Sequence, residues 1–431
     1  MQHRKEVKMS KCVIMFKGGV ETQEYFSIEM SHAFEAEGYY VYWFDLVVSE
    51  YSTTLLQSFL ERSLKSKHFT EIIAFTFNFN GIAGEDGLYS NSFQEGNLWD
   101  EYAIVVYNMV VDHPLYYHKY LDLRPQKYVQ MSIDKNHINY MKRFFPEVNA
   151  SSAFHEKNEK IGKEDDWYFL PLGGTGINIH GEVYPNERYI PIHKRPIDII
   201  FTGNYTPIER FDQYLAQMDY DSKMFFKELL KESIKKPDEL IENLVEQKLI
   251  RENVSFNQTE LKNLMPNLMY VDLSVRFYYR AKTIMQLADS GLKVHIYGAG
   301  WKMLECTHPE NIITAGNVDS QTCLDKISQS KLSINVMPWF KDGAHDRVFN
   351  SMLNGAVVLS DTSKYLKECF VDKSEILFFE LQDIEHVGEI AREYLLDLDK
   401  LQEIADRAYN ICIEKHTWKE RTHVFMNRIN S

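Results

Sequence analysis

No stretch of this sequence approaches the roughly 18 apolar residues that a membrane-spanning helix needs, so stable membrane insertion is not expected. Cysteine is scarce and scattered. Cys12, Cys306, Cys323, Cys369 and Cys412 form no close pair, which gives neither a zinc knuckle nor an even disulfide framework and points to a reducing compartment. The positive excess that marks non-specific nucleic-acid binders is missing too: 48 Lys and Arg face 62 Asp and Glu, a net charge of −14. No nucleic-acid partner is expected, although an acidic total leaves room for a local basic pocket. The start, MQHRKEVKMSK, is polar and the CVIMF after it is too short for a signal-peptide core, so a cytoplasmic protein is expected.

Catalytic signatures are equally sparse. There is no H-E-x-x-H, C-x-x-C or Walker A sequence, and no G-x-S-x-G nucleophile elbow. The D-x-D at Asp397-Leu398-Asp399 reads as a solvated helix face, and the one at Asp219-Tyr220-Asp221 as a helix break or cap. Asp165-Asp166 sits in a charged loop. No metal site and no cofactor are therefore expected.

What is present is a soluble globular composition, 44% hydrophobic and 13% aromatic, over 431 residues, enough for two or three domains. KCVIMF (Lys11–Phe16) reads as a buried strand ending in Lys17-Gly18-Gly19. A helix over about Thr22–Glu37 and the strand YYVYWFDL follow, a βαβ opening without the G-x-G-x-x-G fingerprint. Gly18 and Gly19 either let a ligand approach the backbone or make a plain tight turn. A helix at Ser52–Lys65, the strand EIIAFTFN, a loop with Gly81, Gly84 and Gly87, and the strands AIVVYNMV and KYVQMSI continue the alternation. Asp112, His113, Asp134 and His137 fall at the carboxyl ends of these strands, where open α/β sheets place ligands. A polar linker with Pro185 and Pro191 leads to a second series: PIDIIFTGNYTP, a helical insertion over about Ile208–Leu264, a long helix, KVHIYGAGW, NIITAG and LSINVMP. The expected fold class is α/β, with two Rossmann-like doubly wound domains facing across a cleft. Their expected extents are 1–190 and 191–415, with residues 416–431 a helix returning to the first.

The stretch His345–Asp361, HDRVFNSMLNGAVVLSD, organises the second half. Val348, Phe349, Met352 and Leu353 recur at helical spacing, Gly355 stands where a helix end takes a left-handed residue, and Asp346 is placed to cap the helix. His345 and Arg347 lie near its N-terminus, where the helix dipole disfavours cations unless an anion also binds there. The alternative is that Arg347 merely pairs with Asp346 or another local acid. Gly203 in FTGNY, and Gly298 and Gly300 in YGAGW, follow strands and either present backbone N–H groups to a phosphate or serve only the turns.

FTGNY, RFYYRAKTIMQLADSGLKVHIYGAGW, the glycine of TAGNV, LSINVMP, HDRVFNSMLNGAVVLSD and HTWKER occur in one order over roughly Ile197–Arg421. In that order they resemble the donor-binding domain of GT-B fold glycosyltransferases, nearest the CgeB-like (spore maturation protein-like) branch of the group-one transferases. The resemblance implies transfer of a sugar from a nucleoside-diphosphate sugar to an acceptor that is a glycan, a protein or a small molecule. It implies that Gly203, His345 and Arg347 approach the donor diphosphate, with Asp346 also on the donor side. Asn204, Tyr205, Tyr297, Gly298, Gly300 and Trp301 would border the nucleotide pocket, with Arg210 or Lys302 adding positive charge. The family commonly has Glu where this chain has Asn350, the position expected near the donor ribose.

Such chemistry needs charge stabilisation at the leaving diphosphate more than it needs many catalytic side chains. An inverting enzyme also needs a base for the acceptor hydroxyl. His113 is the first candidate, then Asp134 and His137, with Asp112 also possible; Gly18, Gly19 and His137 would flank the acceptor side. Two other readings compete: a catalytically silent GT-B-like binding or partner subunit, and a nucleotide-sugar 2-epimerase. For the tail, Trp418, Val424 and Phe425 suit a helix packed on the N-terminal domain.

Overall fold

The computed structural model describes residues 11–82, 88, 97–148, 168–177 and 189–430. Gly84, Gly87, Asp165, Asp166 and most of the expected linker lie outside the described residues. The chain divides into two units, Met1–Pro171 with Trp418–Ser431, and Leu172–Thr417.

In the first unit, strands β1 (Lys11–Lys17), β2 (Tyr39–Asp45), β3 (Glu71–Phe77), β4 (Val105–Val110) and β5 (Tyr128–Ser132) form a parallel sheet in the order β2-β1-β3-β4-β5. Cys12–Phe16 are all buried, as expected of an apolar run covered on both faces. Helix α1 (Glu21–Ala36) begins one residue before the expected start. The tail helix (Trp418–Asn430) belongs to this unit. Trp418 packs 4.7 Å from Phe26, and Phe425 lies 5.0 Å from both Phe75 and Tyr107, while Val424 stays 37% exposed.

In the second unit, β6 (Ile197–Thr202), β7 (Val294–Tyr297), β8 (Ile312–Gly316), β9 (Ser330–Asn335), β10 (Val357–Asp361) and β11 (Leu377–Phe379) run parallel in the order β11-β10-β9-β6-β7-β8. Ile199, Phe201, Leu332, Ile334, Val357 and Leu359 form the buried centre. The insertion consists of helices Tyr220–Lys235, Ile241–Arg251 and Gln258–Leu264, and Asp219 caps the first through the Ser222 N–H. Asp397 is not on a helix face: it caps Leu398–Lys415, accepting from Lys400 N–H at 3.0 Å. The ordering of polar residues at chain reversals explains this, since Asp competes for backbone N–H groups and so stops helices. No helix among the described residues is long and apolar enough to cross a membrane.

Candidate functional site in the second unit

Four parallel strands of this unit end in polar residues: Thr202 on β6, Tyr297 on β7, Asn335 on β9 and Asp361 on β10. Buried parallel strands read as apolar runs, so the first polar residue marks where the chain leaves the core. Helix α2 (Asp346–Leu353) starts beside these ends. Its N-cap is His345, not Asp346 as the sequence suggested; Asp346 is the first helical residue.

Arg347 is 6% exposed and lies across the strand ends. Its Nε donates to Thr202 Oγ1 and its Nη1 to Asn335 Oδ1, both at 3.0 Å, and the guanidinium stands 5.1 Å from the Phe201 ring centroid. All of these partners are neutral, which decides against a simple pairing with Asp346. No hydrogen bond among the described residues uses Nη2, which lies 3.1 Å from where a Cβ on Gly203 would stand. Burial pulls the guanidinium below its usual pKa, a penalty that a bound anion would relieve.

Asp346 instead lies 2.6 Å from His345 Nδ1, and the Arg347 N–H lies 3.2 Å from the same nitrogen. One nitrogen cannot donate and accept at once. The shorter, charge-assisted contact assigns the proton to Nδ1, which leaves Nε2 with its lone pair. Burial, then the Arg347 charge, hold His345 below its ordinary pKa, and Arg280 acts in the same direction. Burial opposes the charge on Asp346, but His345 and Arg347 outweigh it and hold the carboxyl below its ordinary value.

Arg280, on helix α3 (Met269–Asp289), is the residue that sequence reasoning missed. It is 7% exposed, donates from Nη1 to Asn204 O at 3.0 Å, and sits 5.1 Å from the Trp339 ring centroid. The quoted motif RFYYRAK contains it, but on a helix its aromatic neighbours read as core. Thr202, Asn335 and Asp361 were also missed. The strand-end rule that selected Asp112 and Asp134 would have found all three.

The glycine turns do a different job from the expected one. Gly203 N–H donates to Tyr297 O at 2.9 Å, Gly298 N–H to Gly316 O at 2.8 Å, and Tyr205 N–H to Ala299 O at 2.9 Å, so none of these groups is presented to a phosphate. A Cβ on Gly298 would stand 2.1 Å from Gly203 O, and one on Gly300 only 1.9 Å from Tyr205 O. The glycines let two backbones touch and hold Asn204 in place; its Oδ1 accepts from Ala299 N–H at 2.8 Å. Trp301 is core rather than pocket wall: it is 2% exposed and its Nε1 donates to Gly203 O at 2.7 Å. Its large apolar face has moved inward against Phe201 and Tyr205. Tyr205 and Tyr297 are half-buried, and burial raises the pKa of each phenol. Arg210 and Lys302 are exposed, with Arg210 against the Met303 sulfur, so neither joins Arg347.

Asn350 uses both ends of its amide within the protein. Nδ2 donates to Asp346 Oδ2 and Oδ1 accepts from Thr175 N–H, both at 2.8 Å. Glu could not donate to Asp346 and would add a second carboxylate one helical turn away, so Asn fits the acid that precedes it.

His113 is 6% exposed, and its Nδ1 accepts from Leu115 N–H at 3.1 Å, capping the turn at Pro114–Tyr117. That bond puts the ring proton on Nε2 and opposes a base role for the neutral ring. Asp112 is half-buried, and its Oδ2 accepts from Asn78 at 3.1 Å and Tyr117 at 3.3 Å. Asp134 is the N-cap of Lys135–Phe144, and His137 is buried on that helix, 4.6 Å ring to ring from His113. Gly18 donates its N–H to Glu24 Oε2 at 2.8 Å, and Gly19 lies against Leu46 and Asn80.

Residues 280–427 match the family described as glycosyl transferase-like. The match begins at Arg280 and includes His345–Asn350. Among solved structures, an alpha-glucosyltransferase in complex with UDP and a 13-mer DNA containing an HMU base has 11% identity and a TM-score of 0.51, with 97% of this chain and 98% of that chain covered. The chain has the GT-B fold. Anabaena HepE in complex with UDP-glucose has 8% identity and a TM-score of 0.48, with 97% and 99% covered. TarM has 13% identity and a TM-score of 0.40; 86% of this chain is covered, but the chain spans only 57% of TarM. A comparison with the curated proteins finds no match. The GT-B assignment accounts for both parallel sheets, and the glycosyl transferase-like segment contains Arg280 and Arg347.

Proposed function

We propose that this GT-B chain is a glycosyltransferase of the hexosyltransferase type. It moves a sugar from a nucleoside-diphosphate sugar to an acceptor hydroxyl without a metal ion. The observation that carries the reading is Arg347: a buried guanidinium with neutral partners, whose Nη2 no hydrogen bond among the described residues uses, and whose charge, like that of Arg280, acts on His345 inside the glycosyl transferase-like segment.

In the reaction the bond between the anomeric carbon and the β-phosphate oxygen breaks, and the electron pair leaves on the nucleoside diphosphate. Arg347 and Arg280 lower the energy of that growing charge from fixed positions in a water-poor site, where such groups count most. His345 Nε2, kept as a lone-pair acceptor by Asp346, orients a donor hydroxyl. The acceptor hydroxyl proton goes to a general base. A net charge of −14 disfavours a polyanionic acceptor.

The test is thermal-shift and calorimetric titration with UDP, GDP, CDP, ADP and dTDP, with and without EDTA. A ligand at about a hundred times its Kd stabilises the native state by roughly 2.7 kcal/mol. The expected result is one nucleotide that raises the midpoint by several degrees regardless of EDTA, with no such shift in Arg347→Ala. No shift with any of the five overturns the reading, and a shift abolished by EDTA overturns metal independence.

A further inference from the structure

One buried acid at this site has no role so far. Asp361 closes β10 and is 1% exposed. Its Oδ1 accepts from Met337 N–H at 2.9 Å, but its Oδ2 is buried without a hydrogen-bond partner among the described residues. A carboxylate left in that condition is strongly disfavoured, whereas the neutral acid is tolerated. The carboxyl is also linked to Arg347 through the sheet. Ser360 pairs in register with Asn335, Asn335 Nδ2 donates to Ser360 Oγ at 2.8 Å, and Asn335 Oδ1 holds the Arg347 guanidinium.

We propose that Asp361 is a proton-bearing positioning residue for the diphosphate site. As the neutral acid it leaves the Arg347 charge to the ligand's phosphates; as the carboxylate it takes part of that charge for itself. This rests on the diphosphate reading above and adds a residue that acts through Arg347 rather than by touching the ligand.

The charged and titratable groups around Asp361 come from each neighbouring element. Arg347 on α2 feels its charge, Lys341 on the loop after β9 favours the carboxylate, Glu380 after β11 opposes it, and the Tyr279 phenol on α3 lies within its field. Burial outweighs Lys341 and the Met337 N–H and pushes the Asp361 carboxyl up to about 7. A bound diphosphate adds negative charge nearby and holds the proton more tightly, so binding takes up a proton and weakens as the pH rises past neutrality.

The experiment is calorimetric titration of the full chain with the same five nucleoside diphosphates from pH 5.5 to 8.5, for the parent and Asp361→Asn. Asn has the shape of the neutral acid and cannot ionise. Parent and variant should bind alike at pH 5.5, and at pH 8.5 the parent should bind roughly tenfold more weakly than the variant, one pKa unit of coupling. Asp361→Ser, also unable to ionise, makes the same measurement if the Asn variant does not fold. Binding by the parent with a pH profile that neither variant changes overturns the inference and leaves the diphosphate reading standing. Failure of the parent to bind any of the five at every pH overturns both.

Discussion

The two units build helix starts on the same strand-loop-helix plan and give them opposite electrostatics. In the first unit β1 ends at Lys17, which pairs with Asp45 at 3.6 Å, and Gly18 turns the chain into α1. Glu24, on that helix, sends its carboxylate back to the Gly18 N–H. The anion that such a turn would attract is thus already supplied by the protein. In the second unit the acid at the helix start, Asp346, is occupied by His345 and Asn350, and the cation behind it, Arg347, is left with neutral partners. Helix termini are general anion sites, so topology does not distinguish the two; the side chains that fill or leave open the position do.

The contrast can be broken most severely at Arg347. Arg347→Ala should weaken nucleoside-diphosphate binding by at least ~30-fold, since truncating a buried, hydrogen-bonded charge costs about 2 kcal/mol or more. The variant should remain folded, and calorimetric titration beside a thermal melt checks both statements. Next, Arg280→Met should keep the packing under Trp339 but remove the charge, weakening binding roughly tenfold. An unchanged Kd would confine the site to Arg347.

Glu24→Ala sharpens the other side of the comparison. It should cost about 1 kcal/mol of stability by leaving the Gly18 N–H to water, with no change in nucleotide affinity. Denaturant melts read the first effect and titration the second; a gain of phosphate binding would show that Glu24 masks a second anion site. His345 and Asp346 supply a pH test. Both are held below their ordinary values in the fold, so each stabilises above its unfolded pKa and loses that contribution as the pH falls. The melting midpoint should decline on acidification from the ordinary histidine value of about 6.5 downward, and His345→Gln should flatten that decline. His113→Ala should match Glu24→Ala in size. Loss of its cap on the Pro114 turn should lower stability by about 1 kcal/mol and leave nucleotide affinity within about twofold.

Much of the fold was legible because buried parallel strands announce themselves as unbroken apolar runs. KCVIMF, AIVVYNMV and LSINVMP need no partner information to be read as strands. Arg347 was legible for a related reason: a cation at a helix start contradicts the local dipole and demands an explanation. Arg280 contradicts nothing locally, because arginine is a good helix former and sits comfortably on a helix face. The glycines were read half correctly. Gly298 and Gly300 do permit close approach, but of one turn to the other, while a Cβ on Gly203 would crowd Arg347 and Phe201. Periodicity gives the face of an element and cannot say which N–H groups a neighbouring loop has already taken.

The sequence by itself determined the alternation of strands and helices, the insertion at 208–264 and the odd basic helix start, because hydrophobic period and dipole preference act within a few residues. The tertiary structure alone decided that Arg347 answers to Thr202 and Asn335 instead of Asp346, that Trp301 faces inward, that Asn350 is tied to Thr175, and that Asp361 has one oxygen without a partner. Each of those outcomes depends on a residue 12 to 175 positions away in the chain or, for Asp361, on none of the described residues reaching its second oxygen, and local pattern carries no record of which distant group arrives.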